Sequence, residues 1–302
     1  MCEKEKFVGE NRFAQPFPSR TLPISAIVVG LNEAHYLRDC LSSVLFCDEI
    51  IYVDLGSTDD SIALASSFGA ETRTNRHVRI VEEVHAELVA SVAFDWILFI
   101  DPDERIDETL QADFYKYFSF SPPAPAVGVV SMPEVFYFKK KKLIGTPWGG
   151  VKNRKILAHR GRFQFTGRVH KGRVLRDGFE EYALPSSGII HHYWSNSWIS
   201  LYRKHRRYLE LEGFSRYETG ERISFGGALA SFFPLLKKTF ANHWQKKDGV
   251  QGSLLCLFWV WYKSSAQIAL WRYQKSVRKT TPRFGRAPKS IAYSASRSEP
   301  RG

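Results

Sequence analysis

The chain has 302 residues, 44% hydrophobic and 14% aromatic, enough for one large α/β domain or one domain with an appendage, and too much for a small stapled scaffold. Its 43 Lys+Arg against 31 Asp+Glu give a net charge of +12, which favours anionic partners such as nucleic acid, phosphates or acidic lipid headgroups. Cys2, Cys40, Cys47 and Cys256 have neither paired nor metal-site spacing, which argues against a disulfide framework and for a reducing compartment. The charged start MCEKEKFVGENR lacks the apolar core of a signal peptide, and no stretch reaches the roughly 18 apolar residues of a spanning helix. A cytoplasmic protein is expected.

Residues 1–22 are polar, without period, and read as a flexible lead. Residues 24–29 are a compact apolar run; Asn32 and Glu33 follow as a turn, and Leu37, Cys40, Leu41, Val44 and Leu45 recur at helical spacing. The unit repeats: residues 49–53 predict a strand, Gly56-Ser57-Thr58-Asp59 turn and cap chemistry, and residues 62–68 a helix ending at Gly69. Residues 70–73 predict a third strand and 81–93 a helix, which leads into the wholly apolar 96–100. Strands separated by helices imply parallel pairing with right-handed crossovers, and ligands bind beyond the carboxyl ends of such strands. Those ends carry Gly30-Leu31-Asn32-Glu33, Asp54-Leu55-Gly56-Ser57 and Asp101-Pro102-Asp103-Glu104. Three polar clusters therefore converge on one edge by topology alone.

Residues 125–195 change to short β-like pieces (126–131, 135–138, 162–165, 169, 189–193) rich in Lys, Arg, Gly and His, an α+β extension lining the same cleft. Residues 198–217 and 225–273 read as helical, basic and aromatic, and 276–302 as a disordered basic tail. The expected domains are 23–195 for the catalytic unit and 196–275 for the helical region.

Asp101 and Asp103 follow directly on a buried strand, and residues i and i+2 of an extended backbone project the same way, about 6 to 7 Å apart. Two carboxylates facing one site suit a hard divalent cation, Mg²⁺ or Mn²⁺, together with substrate phosphates. The bland alternative is an acidic turn that caps the next helix.

The set IVVGLNEAHYLRDCLSSV, DEIIYVDLGSTDDSIALASSFGA and FDWILFIDPDERI resembles glycosyltransferase family 2. NRKILAHRGRFQFTGRVHKGRV, HHYW, WISLYRKHRRYLE and DGVQGSLLCLFWVWYKS are similar to its subgroup of lipopolysaccharide-core β-1,4-glucosyltransferases. The resemblance implies a GT-A fold: a Rossmann-like, mostly parallel sheet flanked by helices, with the acceptor-side extension and C-terminal amphipathic helices. It implies that Asn32, Glu33, Asp54, Gly56, Ser57, Asp59 and Asp101 lie about the nucleotide of a UDP-sugar or related donor. Asp101, Asp103 and His170 would hold the metal, whereas His191 and His192 fit a structural role better. The implied chemistry is an inverting displacement at the anomeric carbon, with Glu104, Glu134 and His170 as candidate bases. Arg154, Arg168 and Lys171 are candidates to neutralise the departing diphosphate.

The chain departs from the family at His85-Ala86, at Lys152-Asn153 and at Lys171, each removing a polar group from donor or acceptor side. In the C-terminal part, Leu254, Leu255, Leu257, Phe258, Trp259, Trp261 and Tyr262, and Phe232, Phe233, Leu235 and Leu236 ahead of Lys237-Lys238, can either pack inward or lie in a membrane interface. The expected acceptor is a lipid-linked or lipopolysaccharide-core glycan, with peripheral association at the cytoplasmic face of an anionic inner membrane. Two other readings stand beside this one: a degenerate relative that binds nucleotide-sugar without transfer, and a basic nucleic-acid-binding protein. Carboxylate-lined strand ends and the absence of a recognised nucleic-acid motif weigh against the last.

Overall fold

The computed structural model describes residues 21–75, 81–120, 122–165, 173–243 and 248–280. The first half alternates as the sequence predicts: β1 (Leu22–Gly30), α1 (Ala34–Ser43), β2 (Cys47–Asp54), α2 (Ser61–Ser67), β3 (Glu71–Thr74), α3 (Val81–Leu88) and β4 (Trp96–Ile100). A more irregular stretch follows, with β5 (Glu104–Ile106), α4 (Glu108–Ser119), β6 (Val127–Phe138), β7 (Lys141–Lys142), β8 (Lys152–His159), β9 (Phe163–Phe165), β10 (Arg173–Leu175), β11 (Glu180–Ala183) and β12 (Ile190–Ser195). Four helices close the described chain: α5 (Trp198–Glu218), α6 (Phe225–Ala230), α7 (Phe232–His243) and α8 (Gly249–Thr280).

Ten strands form one sheet in the order β3-β2-β1-β4-β8-β6-β12-β5, with β7 and β11 also paired to β6. β3, β2, β1 and β4 are all parallel, so their crossover helices must cover the faces. Alternate residues of β1 accordingly enter two cores: Ile24, Ala26 and Val28 pack with Leu37, Leu41 and Phe114 on one side, and Ile27 and Val29 with Val84, Leu88 and Phe99 on the other. Beyond β4 the sheet turns mixed, because β8 pairs antiparallel with both β4 and β6, while β12 lies parallel to β6 and antiparallel to β5.

Three differences from the sequence reading bear on the site. The pieces expected at 126–131 and 135–138 are one strand, β6, which runs through Pro133. β8 does not announce itself, since Lys152, Asn153, Arg154 and Lys155 occupy its first half and only its second half is buried and apolar. The helical region expected over 225–273 is three helices, with Gly249 at a positive φ of 59° starting the last. Residue 169, most of the expected lead and the tail beyond 280 lie outside the described residues.

The helical region is seated by a third core, in which Phe138, Leu143, Trp148 and Trp194 meet Leu201 of α5 and Leu255 of α8. Buried Asp248 pins this seat, because its carboxylate accepts from the backbone N–H of Ile144 at 3.0 Å and of Gly145 at 2.6 Å. Asp248→Ala strands both amides, and we expect a loss of about 3 kcal/mol in urea unfolding; a loss within experimental error would show that the loop after β7 is held elsewhere.

Candidate active site

The parallel strands end in register, with Gly30 beside Asp54 and Val28 beside Ile100, which brings the three polar turns together. Gly30 must be small here: a Cβ would meet the Tyr52 hydroxyl at 2.9 Å and Pro102 at 3.1 Å. Asn32 adopts the left-handed region at φ 57° and accepts from Thr58 N–H at 2.7 Å, while its own N–H donates to Ser57 Oγ at 2.8 Å. Buried Asp54 accepts from the N–H groups of Gly56 and Ser57 at 2.8 and 2.9 Å. Asp59 accepts from Ala34 N–H at 3.1 Å, so the second turn caps the first helix. Asn32, Asp54, Gly56, Ser57 and Asp59 thus build one interlocked loop pair. Burial, followed by the nearby charge of Asp103, pushes the Glu33 carboxyl up to about 7.

Asp101, Asp103, Glu104 and Glu134 form a single acidic cluster. β8 delivers Arg154 into it: the guanidinium lies 2.9 Å from Asp101 Oδ2, 2.8 Å from Glu104 Oε1 and 3.6 Å from Glu134 Oε1. Glu104 is wholly buried, and its other oxygen accepts from Asp101 N–H at 2.9 Å. Burial pushes Glu104 up to about 8 against the pull of Arg154.

Cross-strand register brings in His192, which pairs with Glu104 on β5. Its Nδ1 lies 3.0 Å from Glu134 Oε1 and its Nε2 3.5 Å from Asp103 Oδ1. Burial opposes a charge on this imidazole, but Asp103, Glu134 and Glu104 outweigh that and raise it to about 10. Burial would likewise raise Asp103, but the Lys204 ammonium, 3.3 Å from Oδ2, and His192 hold it well below the carboxylate range.

The residues present fit a divalent cation. Ligand atoms of buried Glu104, Glu134 and His192 lie within 4.8 Å of one another, although Arg154 already supplies a cation to this inner group. The outer pair, Asp103 Oδ1 and His192 Nε2, is better placed: Nε2 is buried with no hydrogen-bond partner among the described residues. The Glu134 carboxylate holds Nδ1–H and so orients the ring with Nε2 toward Asp103; a metal bound there would displace the Nε2 proton.

Against this geometry the comparisons are decisive at the level of family. The model of Glycosyl transferase family 2 matches residues 25–182, just over half of the chain and the whole of the strand-end site except His192 and Lys204. The chain belongs to this family. The lipopolysaccharide core biosynthesis glycosyltransferase LpsC of Rhizobium meliloti (strain 1021) is 26% identical over 215 residues, 68% of this chain and 75% of that protein. An uncharacterized glycosyltransferase of Rickettsia felis is 36% identical over 98 residues, 32% of this chain and 34% of its own. Among solved structures, glucosyl-3-phosphoglycerate synthase from Mycobacterium tuberculosis with Mn²⁺ and UDP-glucose aligns at 22% identity over 40% of this chain and 44% of that one, TM-score 0.29. A mycobacterial protein aligns at 19% over 58% and 68%, TM-score 0.37.

Within this glycosyltransferase the structure brings Asp101, Asp103, Glu104 and Glu134 together, and adds two residues that the sequence alone does not single out for the site, His192 and Lys204. His192 stands in HHYW, where a structural role is expected, and Lys204 in the basic run WISLYRKHRRYLE; His192 reaches Glu104 and Glu134 only through the β6-β12-β5 order. His170, with Arg168 and Lys171, lies outside the described residues. Of the family departures, His85 is buried edge-on to the Phe99 ring at 4.8 Å, and burial lowers it to about 3. Lys152 donates to Pro147 O at 2.6 Å.

The raised His192 makes stability depend on pH. A group raised on folding contributes fully below its ordinary value, here 6.5, and loses that contribution as pH rises through about 10. Glu104 acts in the same direction between 4.5 and about 8. In metal-free buffer with EDTA we expect unfolding free energy to fall from pH 6 to pH 10, and the gap between wild type and His192→Asn to shrink by at least about 2 kcal/mol over that range. A gap that widens with pH would reverse the assignment.

Proposed function

We propose that the protein is a metal-dependent, inverting hexosyltransferase that moves a sugar from a nucleotide-sugar donor, a UDP-sugar first among them, to a surface-glycan or lipopolysaccharide-core acceptor. The observation that carries this reading is the cluster at the carboxyl edge of β4, where Asp101, Asp103 and His192 Nε2 converge. The acceptor class is supported by the likeness to LpsC, a lipopolysaccharide core biosynthesis glycosyltransferase.

In this reading the two interlocked turns with Asn32, Glu33, Asp54, Gly56, Ser57 and Asp59 frame the nucleotide, and Asp101 closes the frame on the ribose side. Asp103 and His192 would hold Mn²⁺ or Mg²⁺, with Asp101 beside them, and the cation would stabilise charge gathering on the leaving diphosphate. The acceptor oxygen bonds to the anomeric carbon, the carbon–oxygen bond to the diphosphate breaks, and the acceptor proton passes to a base. Glu104, Glu134 and His170 are the candidates for that base. The burial of Glu104 and Glu134 against Arg154 and His192 favours positioning roles for both.

Calorimetric titration with UDP, GDP and ADP, each with Mn²⁺ and with EDTA, tests the donor site. We expect one nucleotide to bind in a metal-dependent manner, and Asp103→Asn to abolish both that binding and sugar transfer while thermal unfolding stays cooperative. Unchanged turnover in Asp103→Asn overturns the assignment, and metal-dependent binding with no transfer to any glycan gives the degenerate reading instead.

The acceptor reading extends to a lipid surface. No helix among the described residues is long and apolar enough to cross a membrane, yet α8 divides into two faces. Leu255, Cys256, Val260 and Tyr262 are buried, whereas Leu254 and Leu257 remain exposed beside Phe233, which is 74% exposed. Exposed Lys237 and Lys238 flank this apolar face, the composition of a helix lying in an anionic interface. We expect the full chain to co-sediment with phosphatidylglycerol-containing vesicles and not with phosphatidylcholine ones, and Phe233→Asp/Leu257→Asp to abolish this without changing nucleotide affinity. Equal sedimentation of wild type and variant sinks the membrane reading.

A further inference from the structure

Asp103 gives each of its oxygens to a different cation. Oδ1 faces His192 Nε2 at 3.5 Å, and Oδ2 faces Lys204 Nζ at 3.3 Å. Lys204 comes from α5, beyond residue 182, where the family match ends.

Its helix turn is anchored by buried neighbours. Leu201 and His205, one helical turn apart, are both buried, and His205 Nδ1 donates to Leu201 O at 2.9 Å. The His205 ring meets Trp194 at 5.4 Å, Phe258 at 4.9 Å and Tyr262 at 4.8 Å. These contacts anchor the turn from which the Lys204 stem leaves. A buried ammonium–carboxylate pair holds a fold together no better than apolar residues of the same volume, because both ions lose water. What such a pair offers is charge that can change partners. Lysine suits this: its ammonium is a compact charge on a rotatable four-carbon stem, unlike the guanidinium of Arg154, which faces Asp101, Glu104 and Glu134 together.

We propose that Lys204 is the movable cation of the donor diphosphate. It neutralises Asp103 while the site is empty, and it turns to the diphosphate oxygens once a divalent cation takes that carboxylate. The proposal rests on the donor-site reading above, and it makes α5 a working part of the site.

The consequence is a pair of opposed effects in Lys204→Met, which keeps the stem and removes the charge. Electron paramagnetic resonance of Mn²⁺ with nucleotide-free protein should show the variant binding the ion about tenfold more tightly, because Asp103 has lost its competitor. Calorimetry with UDP in saturating Mn²⁺ should show the variant binding the nucleotide about tenfold more weakly. A merely structural lysine would weaken both or neither, and either result overturns the proposal. Wild-type protein supplies a second measurement that needs no variant: reductive dimethylation read by mass spectrometry. Reactivity of Lys204 should rise when MnCl₂ is added and fall again when UDP follows; reactivity that neither addition changes overturns the proposal. Wild-type protein that binds none of UDP, GDP or ADP with Mn²⁺ overturns the donor-site reading itself. Wild-type binding with both affinities unmoved in Lys204→Met overturns the role of Lys204 alone.

Discussion

The contact on which the site depends is the guanidinium of Arg154 bridging Asp101 and Glu104. Carboxylates this close repel one another, and Glu104 is buried where an unpaired charge costs several kcal/mol. Arg154 makes their assembly possible: one terminal nitrogen lies 2.9 Å from Asp101 and 2.8 Å from Glu104, and Nε turns to Glu134 at 3.6 Å. Burial opposes the arginine's charge, but Glu104 and Asp101 together raise it, so the cation is permanent.

This need accounts for the least regular feature of the sheet. β8 inserts antiparallel between β4 and β6, so that its apolar end, Ile156–Ala158, fills the core and its polar start carries Arg154 to the strand ends. The same change of direction lets β12 run parallel to β6 and meet β5, which sets His192 opposite Glu104. The parallel half supplies the turns and the acids. The mixed half supplies the counter-charges.

That division also explains what was legible in the sequence. The strand–turn–helix units through Ile100 are written in local periodicity and turn residues, and the convergence of the Asn32, Asp54 and Asp101 turns follows from parallel topology alone. The acids at 101, 103 and 104 sit on one such turn and were readable for that reason. Arg154 carried a local hint as a cation for phosphate, but nothing in its neighbourhood says that it lies among buried carboxylates. His192 and Lys204 reach Asp103 from 89 and 101 residues away in the chain, through a strand order and a helix seat that no local pattern encodes. The C-terminal aromatic run posed packing against surface exposure as alternatives. On a helix both hold, because Leu255 and Leu254 are adjacent in sequence and about 100° apart around the axis.

The net charge of +12 is a property of the surface and a poor guide to the site, where acids outnumber permanent cations. A nucleoside diphosphate approaching a positive protein is drawn in by the long-range field, yet at the strand ends it meets Asp101 and Asp103. Attraction at a distance and repulsion at contact can be reconciled only by cations placed between the two sets of oxygens. Arg154 is spent on the buried carboxylates, with NH2 and Nε both turned toward them. The charge that faces the donor must then come from elsewhere: from a bound divalent ion, from Lys204, or from both. His192 and Lys204 hold Asp103 well below the usual carboxylate range, so the carboxylate can accept such a cation without first shedding a proton.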